Sequence, residues 1–199
     1  MNSDVAAIVL AAGRGSRFGA ARFKLLEELA GKPVVRHVVD AALASRARSV
    51  FVVTGHESQR VETALRGAGA ALVHNADYAE GLASSLRAGL ARVEGAAGGL
   101  VMLADMPLVA PAALDRLIAA FEETGACAVV PTRNGRRGNP VLLGRASFAR
   151  LRELQGDKGA RDLLRAFDGV VEVEIDDDGV LADIDLPDDL ALLRSLMRN

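Results

Sequence analysis

The feature that most constrains the fold of this chain is an alternation of short apolar runs with longer amphipathic stretches. Apolar runs typical of strands fall at residues 6–10, 49–53, 70–73, 100–103, 128–130 and 170–175. Apolar residues at helical spacing fall between them, at residues 33–44, 57–66, 82–92 and 111–122. Strands that alternate with helices in this way indicate βαβ units around a largely parallel sheet. The pattern predicts an α/β fold, a three-layer α/β/α sandwich with a mostly parallel central sheet.

Composition limits the size and the class of the protein. The chain has 199 residues, of which 50% are apolar, and this fits one domain spanning residues 1–199. A net charge of −2 and an aromatic content of 4% argue against a nucleic-acid surface. No apolar run approaches the ~20 residues that a membrane span needs. Asp4 stands where a secretory signal favours lysine or arginine. We expect a cytoplasmic protein that binds neither nucleic acid nor membranes.

The few cysteine and histidine residues point away from a zinc site. Cys127 is the only cysteine, which excludes a disulfide within the chain, and its apolar neighbours predict a small buried side chain. The three histidines, His37, His56 and His74, are far apart and lack the spacing of metal ligands. Any bound metal is therefore expected to be held by oxygen atoms.

The first apolar run leads directly into a loop rich in glycine and arginine, Ala12-Gly13-Arg14-Gly15-Ser16-Arg17-Phe18-Gly19, followed by Arg22 and Lys24. Glycines let the backbone N–H groups approach an anion closely, and the cationic side chains add charge-assisted donors. The third glycine falls too late for the dinucleotide fingerprint, and the Gly-Lys-Ser/Thr of the Walker loop is absent. The loop predicts a nucleotide phosphate site; the alternative is a structural glycine turn with surface arginines.

Polar residues follow the strands, at the edge where open α/β sheets bind their ligands. Thr54 and Gly55 come directly after the second apolar run, Asn75 follows the third, and Asp105 follows the fourth. An aspartate at the end of a buried strand can hold a hard cation against triphosphate oxygens. The alternative role for Asp105 is a helix cap, but Pro111 places the start of the next helix too far along the chain.

Mg²⁺ is seldom coordinated by a single protein side chain, so a second carboxylate is needed. In an extended conformation, the segment Asp183-Ile184-Asp185 places both aspartates on the same side of the chain. Pro187, with Asp188 and Asp189, predicts the start of a final helix, because acidic residues are favourable in the first turn. The acidic run at 176–178 is expected to form a solvated turn.

The first loop, written L-A-A-G-x-x-x-R-x-G-x-x-x-x-K, resembles the signature of the MobA-like nucleotidyltransferases. Its Ala12 makes it more similar to the MocA-type molybdenum cofactor cytidylyltransferases. Residues 75–89 resemble the family segment that helps to enclose the base and ribose. The tail, residues 183–190, resembles a family element in which the aspartate two residues before the proline binds the metal. That aspartate is Asp185 here, and the resemblance implies that it binds the metal together with Asp105. The resemblance implies a Rossmann-like fold of the nucleotide-diphospho-sugar transferase type.

The same resemblance implies which residues contact the nucleotide. They are Leu10, Ala11, Ala12, Gly13, Arg14, Gly15, Ser16, Arg17, Lys24, Thr54, Gly55, Asn75, Gly81, Ser84 and Ser85. Residues 138–144 and 154–161 resemble acceptor-side elements, which implies acceptor-binding roles for Asn139, Lys158 and Arg161. A polar loop between two short helices remains an alternative for residues 156–159.

These residues predict an Mg²⁺-dependent nucleotidyltransferase. A phosphate monoester has a second pKa of ~6, so it is largely dianionic at neutral pH and can attack an α-phosphorus without a protein nucleophile. We expect transfer of a nucleoside monophosphate with release of pyrophosphate, and Mg²⁺ on Asp105 and Asp185. Arg17 and Lys24 stabilise the developing charge, so the predicted catalytic residues are Arg17, Lys24 and Asp105.

The resemblance favours CTP as the donor and molybdopterin or molybdenum cofactor as the phosphorylated acceptor, with a molybdoenzyme or its chaperone as a protein partner. Two alternatives stay open: a nucleotidyltransferase for a sugar phosphate or another metabolite phosphate, and a non-catalytic nucleotide-binding partner of a molybdoenzyme. A nicotinamide-dependent oxidoreductase ranks third, because the third glycine of its fingerprint is displaced. Pyrophosphate release with and without magnesium separates an enzyme from a sensor.

Overall fold

The computed structural model describes residues 4–18, 23–156, 164, 167 and 169–196. Its centre is an eight-stranded sheet. The strands of this sheet are β1 (Val5–Ala11), β4 (Ser49–Thr54), β5 (Ala71–His74), β6 (Gly98–Leu103), β7 (Ala128–Arg133), β8 (Arg136–Arg137), β9 (Val141–Gly144) and β10 (Val170–Glu174). Their order in the sheet is β10-β7-β9-β6-β1-β4-β5, with β8 paired to β7. A separate two-stranded sheet consists of β2 (Glu28–Leu29) and β3 (Lys32–Pro33).

Pairing within the large sheet is mostly parallel, which confirms the predicted sheet. Strand β1 lies between β4 and β6 and is parallel to both, and the β4–β5 and β7–β10 pairs are also parallel. Strand β9 runs antiparallel between β6 and β7 and was not predicted. Its apolar run is very short and follows Pro140, so it becomes a strand only because both neighbours supply hydrogen-bond partners.

The described helices are α1 (Val34–Ala44), α2 (Ser58–Ala64), α3 (Leu82–Leu90), α4 (Pro111–Thr124), α5 (Phe148–Arg152) and α6 (Pro187–Leu196). All except α5, which was not predicted, lie close to their predicted positions. Helix α4 starts at Pro111 and α6 at Pro187, as predicted. Helix α1 begins one residue later than predicted because Pro33 belongs to β3, and α2 begins after Glu57, whose φ of 54° is left-handed.

Alternate residues of β1 face opposite sides of the sheet, and this divides the core. One set packs with α1 and α4: Val5, Ala7, Val9 and Ala11. The other set packs with α3 and α5: Ala6, Ile8 and Leu10. Helices thus cover both faces, which confirms the three-layer α/β/α sandwich. Cys127, which was expected to be buried, is only partly buried just before β7.

The packing brings several loops to one edge of the sheet. Strands β1, β4, β5 and β6 are parallel, so their carboxyl ends meet there, and β9 starts at the same edge because Val141 pairs with Val101. Helix α3 packs directly on β1, since a Cβ on Gly89 would lie 2.4 Å from Cγ2 of Ile8. No helix in the described part of the chain combines the length and the apolar character of a membrane span.

A third apolar cluster joins the ends of the chain to this edge. It contains Phe18, Leu29, Val34, Ile184, Leu190 and Leu193. Phe18 ends the first loop, while Ile184 lies between the two tail aspartates and is fully buried. The cluster therefore fixes the acidic tail beside the glycine-rich loop.

Candidate active site

A cleft of about 670 Å³ lies at the edge where the parallel strands end. Four parts of the chain line it: the loop after β1, the region around the start of α3, the end of β6 and the segment before α6. The predicted nucleotide and metal residues among its lining are Leu10, Ala12, Gly13, Arg14, Gly15, Arg17, Lys24, Gly81, Ser85, Asp105 and Asp185. The structure therefore brings most of the predicted site together.

Gly15 makes the turn in the glycine-rich loop. Its φ is +60°, and its carbonyl accepts a hydrogen bond from the backbone N–H of Phe18 at 2.9 Å. Gly13 does not adopt a positive φ, but a Cβ placed on it would meet none of the described atoms within 4 Å. Gly13 thus leaves the cleft open beside the backbone. Gly19, the third glycine of the loop, lies outside the described residues.

Lys24 lies at the centre of the charged end of the cleft. Its ammonium donates to Oδ2 of Asp105 at 2.6 Å, to the carbonyl of Ile184 at 2.8 Å and to Oδ1 of Asp185 at 3.4 Å. The side chains of Lys24 and Asp105 are only 11% and 19% exposed. The stem of Lys24 runs beside Gly15, where a Cβ would lie 3.4 Å from its Cγ. One ammonium group thus joins the two carboxylates that were predicted to hold a metal.

The second carboxylate oxygen of Asp105, Oδ1, is buried and has no hydrogen-bond donor among the described residues. Asp105 does not cap α4, because the backbone N–H of Ala110, just before that helix, donates to Asp177 at 3.1 Å. A buried carboxylate oxygen without a donor is unfavourable unless a cation or another group compensates its charge. Its environment fits a group that binds a cation.

The tail is held in place by its backbone as well as by its side chains. The N–H of Ile184 donates to the carbonyl of Asp105 at 3.0 Å, and Arg17 donates to Oδ2 of Asp185 at 2.5 Å. Asp189 accepts from the N–H of Asp185 at 2.9 Å and from that of the next residue at 2.7 Å. Asp189 is therefore a helix-start residue, as predicted, and it also orients Asp185.

The carboxylates of this end fit a magnesium-like ion. Asp183 also lines the cleft, as Asp185 does. Within the described residues, however, no group of three or more His, Cys, Asp and Glu side chains could hold one metal ion. Asp105 and Asp185 would then be the protein ligands. Mg²⁺ commonly takes one or two carboxylates and completes its shell with substrate phosphate and water.

Tyr78 forms part of the wall of the cleft. The guanidinium carbon of Arg14 lies 5.8 Å from the centre of the Tyr78 ring, within cation–π range. Gly55 lies behind this ring, since a Cβ there would be 2.6 Å from Cβ of Tyr78. Thr54 is fully buried and its hydroxyl donates to Glu62 at 3.4 Å. Thr54 and Gly55 do not line the cleft, so the structure places them as support for its wall.

Asn75 and the two serines form a hydrogen-bonded group at the start of α3. The amide nitrogen of Asn75 donates to Oγ of Ser84 at 2.9 Å and of Ser85 at 3.1 Å. Its amide oxygen accepts from the N–H of Asp77 at 3.1 Å. Ser84 donates to the carbonyls of Asp77 and Gly81, both at 2.9 Å. Of this group, only Gly81 and Ser85 line the cleft.

The predicted acceptor residues are only partly described. Asn139 precedes β9, and its backbone N–H donates to the carbonyl of Val180 at 2.9 Å. The register of β9 and β6 places Asn139 at the edge that carries the cleft, although it does not line the cleft itself. Lys158, Arg161 and the side chain of Ser16 lie outside the described part of the chain.

Six cleft residues were not predicted to bind: Leu25, Tyr78, Ala79, Leu82, Leu103 and Asp183. Most of them are apolar and carry no motif that marks a site. Their positions are the available signal, because Tyr78, Ala79 and Leu82 fall within the 75–89 segment. Conversely, Ala11 is buried in β1 and does not line the cleft.

Comparison with known proteins places this chain in a family. The model of the MobA-like NTP transferase domain matches residues 7–172. Bifunctional protein GlmU of Symbiobacterium thermophilum is 34% identical over 145 residues, which are 72% of this chain. The match spans only 30% of the length of that relative.

Solved structures share the fold. The Rv0371c homologue from Mycobacterium sp. strain JC1 is 29% identical, with a TM-score of 0.85 over 100% of this chain and 99% of the other. Rv0371C of Mycobacterium tuberculosis H37Rv, in complex with manganese, is 29% identical with a TM-score of 0.81, covering 96% and 98% of the two chains.

Two more distant structures have the same architecture. They are CMP:2-keto-3-deoxy-manno-octonic acid synthetase complexed with CTP, at 17% identity and a TM-score of 0.77, and molybdopterin-guanine dinucleotide biosynthesis protein A of Archaeoglobus fulgidus, at 21% and 0.75. They cover 98% and 96% of this chain, and 99% and 98% of their own. The family match and the shared fold lead to one conclusion: the chain belongs to the MobA-like NTP transferase domain family, a group of nucleotidyltransferases.

Proposed function

We propose that this protein is a divalent-metal-dependent nucleotidyltransferase that moves CMP from CTP to a phosphorylated acceptor of the molybdopterin or molybdenum cofactor type. Pyrophosphate is the second product. Asp105 and Asp185 hold Mg²⁺, the 13–15 backbone binds the phosphates, and Arg17 and Lys24 stabilise the charge that develops during transfer.

The observation that carries this proposal is the arrangement around Lys24. Two carboxylates from distant parts of the chain meet at one ammonium, and the remaining oxygen of Asp105 is buried without a donor from the part of the chain that the structure describes. The open backbone of Gly13 and the guanidinium of Arg17 line the same cleft. Such a combination offers cation ligands beside anion donors, which is what a metal-bound triphosphate requires.

The reaction needs little chemistry from the protein. An oxygen of the acceptor phosphate forms a bond to the α-phosphorus, and the bond from that phosphorus to the β-phosphate bridging oxygen breaks. Pyrophosphate leaves with the electron pair. Because the acceptor is largely dianionic at neutral pH, no side chain has to remove a proton from it.

The residues of the chain position the reactants and neutralise charge. When bound, Mg²⁺ supplies Lewis-acid stabilisation of the phosphate oxygens. Lys24 and Arg17 are already at the charged end and can donate to phosphate oxygens. Since the charge on the leaving group grows in the transition state, Lys24→Ala should lower kcat more than it raises KM.

The proposed donor, CTP, and the proposed acceptor are inferred from similarity in sequence and in fold. Ala12 in the first loop supports a cytidylyltransferase, and the distant synthetase that shares the fold was solved with CTP. The Archaeoglobus fulgidus structure of the same fold is named for molybdopterin-guanine dinucleotide biosynthesis. A molybdoenzyme or its chaperone would be the protein partner that receives the product, and Asn139, Lys158 and Arg161 would contact the acceptor.

A second candidate is transfer to a sugar phosphate or a similar metabolite. The specific support for it is the synthetase of the same fold, which is named for a sugar acid and was solved with CTP. Both candidates use the same metal and triphosphate groups, so they differ only in the acceptor.

An assay of pyrophosphate release tests both candidate functions. The purified chain is incubated with Mg²⁺, one of CTP, GTP, ATP or UTP, and either molybdopterin or a sugar 1-phosphate. We expect release only with metal, CTP and molybdopterin together; release with the sugar phosphate instead would select the second candidate. Asp105→Asn should lower kcat by about 10²-fold or more, as loss of a group that stabilises transition-state charge does.

Asp188 supplies the matched control. It starts the same helix that follows Asp185 but does not line the cleft. Asp188→Asn removes the same charge from an exposed position, so its kcat should match that of the wild type. No pyrophosphate release under any of these conditions, or release that Asp105→Asn leaves unchanged, would contradict the proposal.

A further inference from the structure

The chain segment that leads into α6 crosses the ends of three neighbouring strands. The carbonyl of Val180 accepts from the backbone N–H of Asn139, just before β9, at 2.9 Å. Further along, the N–H of Ile184 donates to the carbonyl of Asp105, just after β6, at 3.0 Å. The next residue, Asp185, pairs with the loop after β1. Since β9, β6 and β1 are adjacent in this order, the segment runs from the predicted acceptor side of the cleft to its phosphate loop.

Asp183 lies between the β9 and β6 contacts of this segment and lines the cleft. Its side chain is exposed and makes no hydrogen bond or ion pair with any described residue. The other two carboxylates of the cleft, those of Asp105 and Asp185, pair with Lys24 and Arg17. Asp183 therefore adds a negative charge that no ion pair within the described residues neutralises.

Asp183 does not complete the proposed metal site. If its carboxylate shared one ion with those of Asp105 and Asp185, the three would form a group of acidic side chains around that ion. The described residues contain no group of three or more such side chains that could hold a metal ion. The carboxylate of Asp183 is therefore available to a different group in the cleft.

The charge of Asp183 restricts which phosphates can bind beside it. The proposed acceptor substrate is a phosphate monoester, which is largely dianionic at neutral pH, so a nearby carboxylate repels it. An ionised carboxylate can only accept hydrogen bonds, and those it accepts are stronger than bonds between neutral groups. An O–H or N–H group close to the phosphate of the substrate would therefore offset the repulsion, whereas a phosphate without such a group would bear it in full.

We infer that Asp183 is a specificity-determining residue for the acceptor substrate: it accepts a hydrogen bond from an O–H or N–H group near the phosphate and discriminates against phosphates that lack one. The inference rests on the proposed function and adds the chemical class of substrate that its acceptor side takes. Sugar hydroxyls and the N–H groups of a pterin ring both supply such a donor, and the experiment distinguishes these two sources.

The experiment measures binding of phosphates to the protein with Mg²⁺ and α,β-methylene-CTP, whose P–CH₂–P bridge prevents transfer. Calorimetry compares glucose 1-phosphate, which has hydroxyl groups, 6-hydroxymethylpterin phosphate, which has ring N–H groups, and cyclohexyl phosphate, which has neither. Glucose 1-phosphate and cyclohexyl phosphate form a matched pair, because both carry the phosphate on a six-membered ring. The wild type should bind at least one of the two donor-bearing phosphates more tightly than it binds cyclohexyl phosphate.

Asp183→Asn keeps the shape of the side chain and removes its charge. It should weaken binding of the preferred donor-bearing phosphate about 5- to 10-fold, the difference between a charged and a neutral hydrogen bond. It should tighten binding of cyclohexyl phosphate about 2-fold, because a screened repulsion is lost. These opposite changes are diagnostic, since a general disturbance of the cleft would weaken all ligands. The affinity for α,β-methylene-CTP should stay at the wild-type value.

Two further variants complete the set. Asp183→Ala also removes the oxygen that accepts the hydrogen bond, so it should weaken the donor-bearing phosphate at least as much as Asp183→Asn does. Asp188→Asn is the matched control, because Asp188 is exposed and close in sequence but does not line the cleft. It should leave the affinities for all three phosphates unchanged.

The outcomes separate this inference from the proposed function. A loss confined to glucose 1-phosphate identifies a hydroxyl as the donor, and a loss confined to the pterin phosphate identifies a ring N–H. A wild type that binds cyclohexyl phosphate as tightly as the other two would overturn the role of Asp183 while nucleotidyl transfer stands. The same holds if Asp183→Asn changes none of the affinities or shifts all of them in one direction. If the wild type binds no nucleoside triphosphate in the presence of Mg²⁺, the proposed function is wrong and this inference fails with it.

Discussion

Replacing Lys24 by methionine tests the charged end of the cleft. The ammonium makes three contacts, with Asp105 at 2.6 Å, with the carbonyl of Ile184 at 2.8 Å and with Asp185 at 3.4 Å. Hydrogen bonds to charged groups contribute about 1.5–3 kcal/mol each, and breaking a buried ion pair costs about 3–5 kcal/mol. Arg17 still pairs with Asp185, so we expect the free energy of unfolding to fall by about 2–4 kcal/mol without divalent ions.

A divalent ion should restore much of this loss. In the wild type, the ammonium occupies Oδ2 of Asp105, so an ion must compete with it. In Lys24→Met, both oxygens of Asp105 are free of the lysine, and Mn²⁺ can replace its charge. A ligand at 100 times its dissociation constant stabilises the folded state by about 2.7 kcal/mol. Mn²⁺ should therefore stabilise Lys24→Met more than it stabilises the wild type.

Urea unfolding followed by far-ultraviolet circular dichroism suits this test, since the chain has no tryptophan. Unfolding is measured with EDTA and across a Mn²⁺ titration. Lys32→Met is the control, because Lys32 is 55% exposed and pairs with Asp40 at 2.8 Å, a surface pair worth about 1 kcal/mol or less. Equal losses in the two variants, or equal Mn²⁺ stabilisation of Lys24→Met and the wild type, would refute the reasoning.

Three further predictions follow from the packing and the charges. Gly55→Ala places a Cβ 2.6 Å from Cβ of Tyr78, so it should displace the Tyr78 ring and weaken CTP binding. Calorimetry measures this affinity, and an unchanged affinity would count against a contact between Tyr78 and CTP. Ile184→Ala should lower the free energy of unfolding by about 2–5 kcal/mol, because the side chain is fully buried, and its urea midpoint measures this. The hydrogen bond from the backbone N–H of Asn134 lowers the pKa of Glu174 in the folded state. The ionised Glu174 therefore stabilises the fold above the ordinary glutamate pKa of about 4.3, and this stabilisation is lost as the pH falls through the lower folded-state pKa. Glu174→Gln should therefore unfold more easily than the wild type near neutral pH, and the difference should shrink in acid; a constant difference across the pH range would contradict this.

The parts of the structure that follow from local chemistry could be predicted from the sequence. Apolar periodicity located β1 and β6 because their side chains face helices on both sides of the sheet. Parallel strands place their carboxyl ends at one edge, so Asp105 could be assigned to the cleft from its position after a buried run. The alternation at Asp183 and Asp185 predicted that both lie on the same side of the chain, and both line the cleft, although only Asp185 was predicted to bind.

Other parts depend on contacts between distant residues. Strand β9 has too short an apolar run to be recognised without β6 and β7 beside it. Asn75, Ser84 and Ser85 are all small polar residues near the start of a helix, and only their three-dimensional partners separate the one that lines the cleft from those that face inward. Gly13 and Gly15 likewise look equivalent in the sequence, although only Gly15 has a positive φ.

The contacts of Lys24 also have a consequence for folding kinetics. Its partners Asp105 and Ile184 are 81 and 160 positions away along the chain. Closing loops of that length is entropically costly and tends to occur late, after local helices and neighbouring strands have formed. During synthesis, a nascent chain in which the residues around 184 have not yet left the ribosome cannot form the contacts of Lys24 with Ile184 and Asp185. Competence to capture a divalent ion should therefore arise abruptly, near the end of folding.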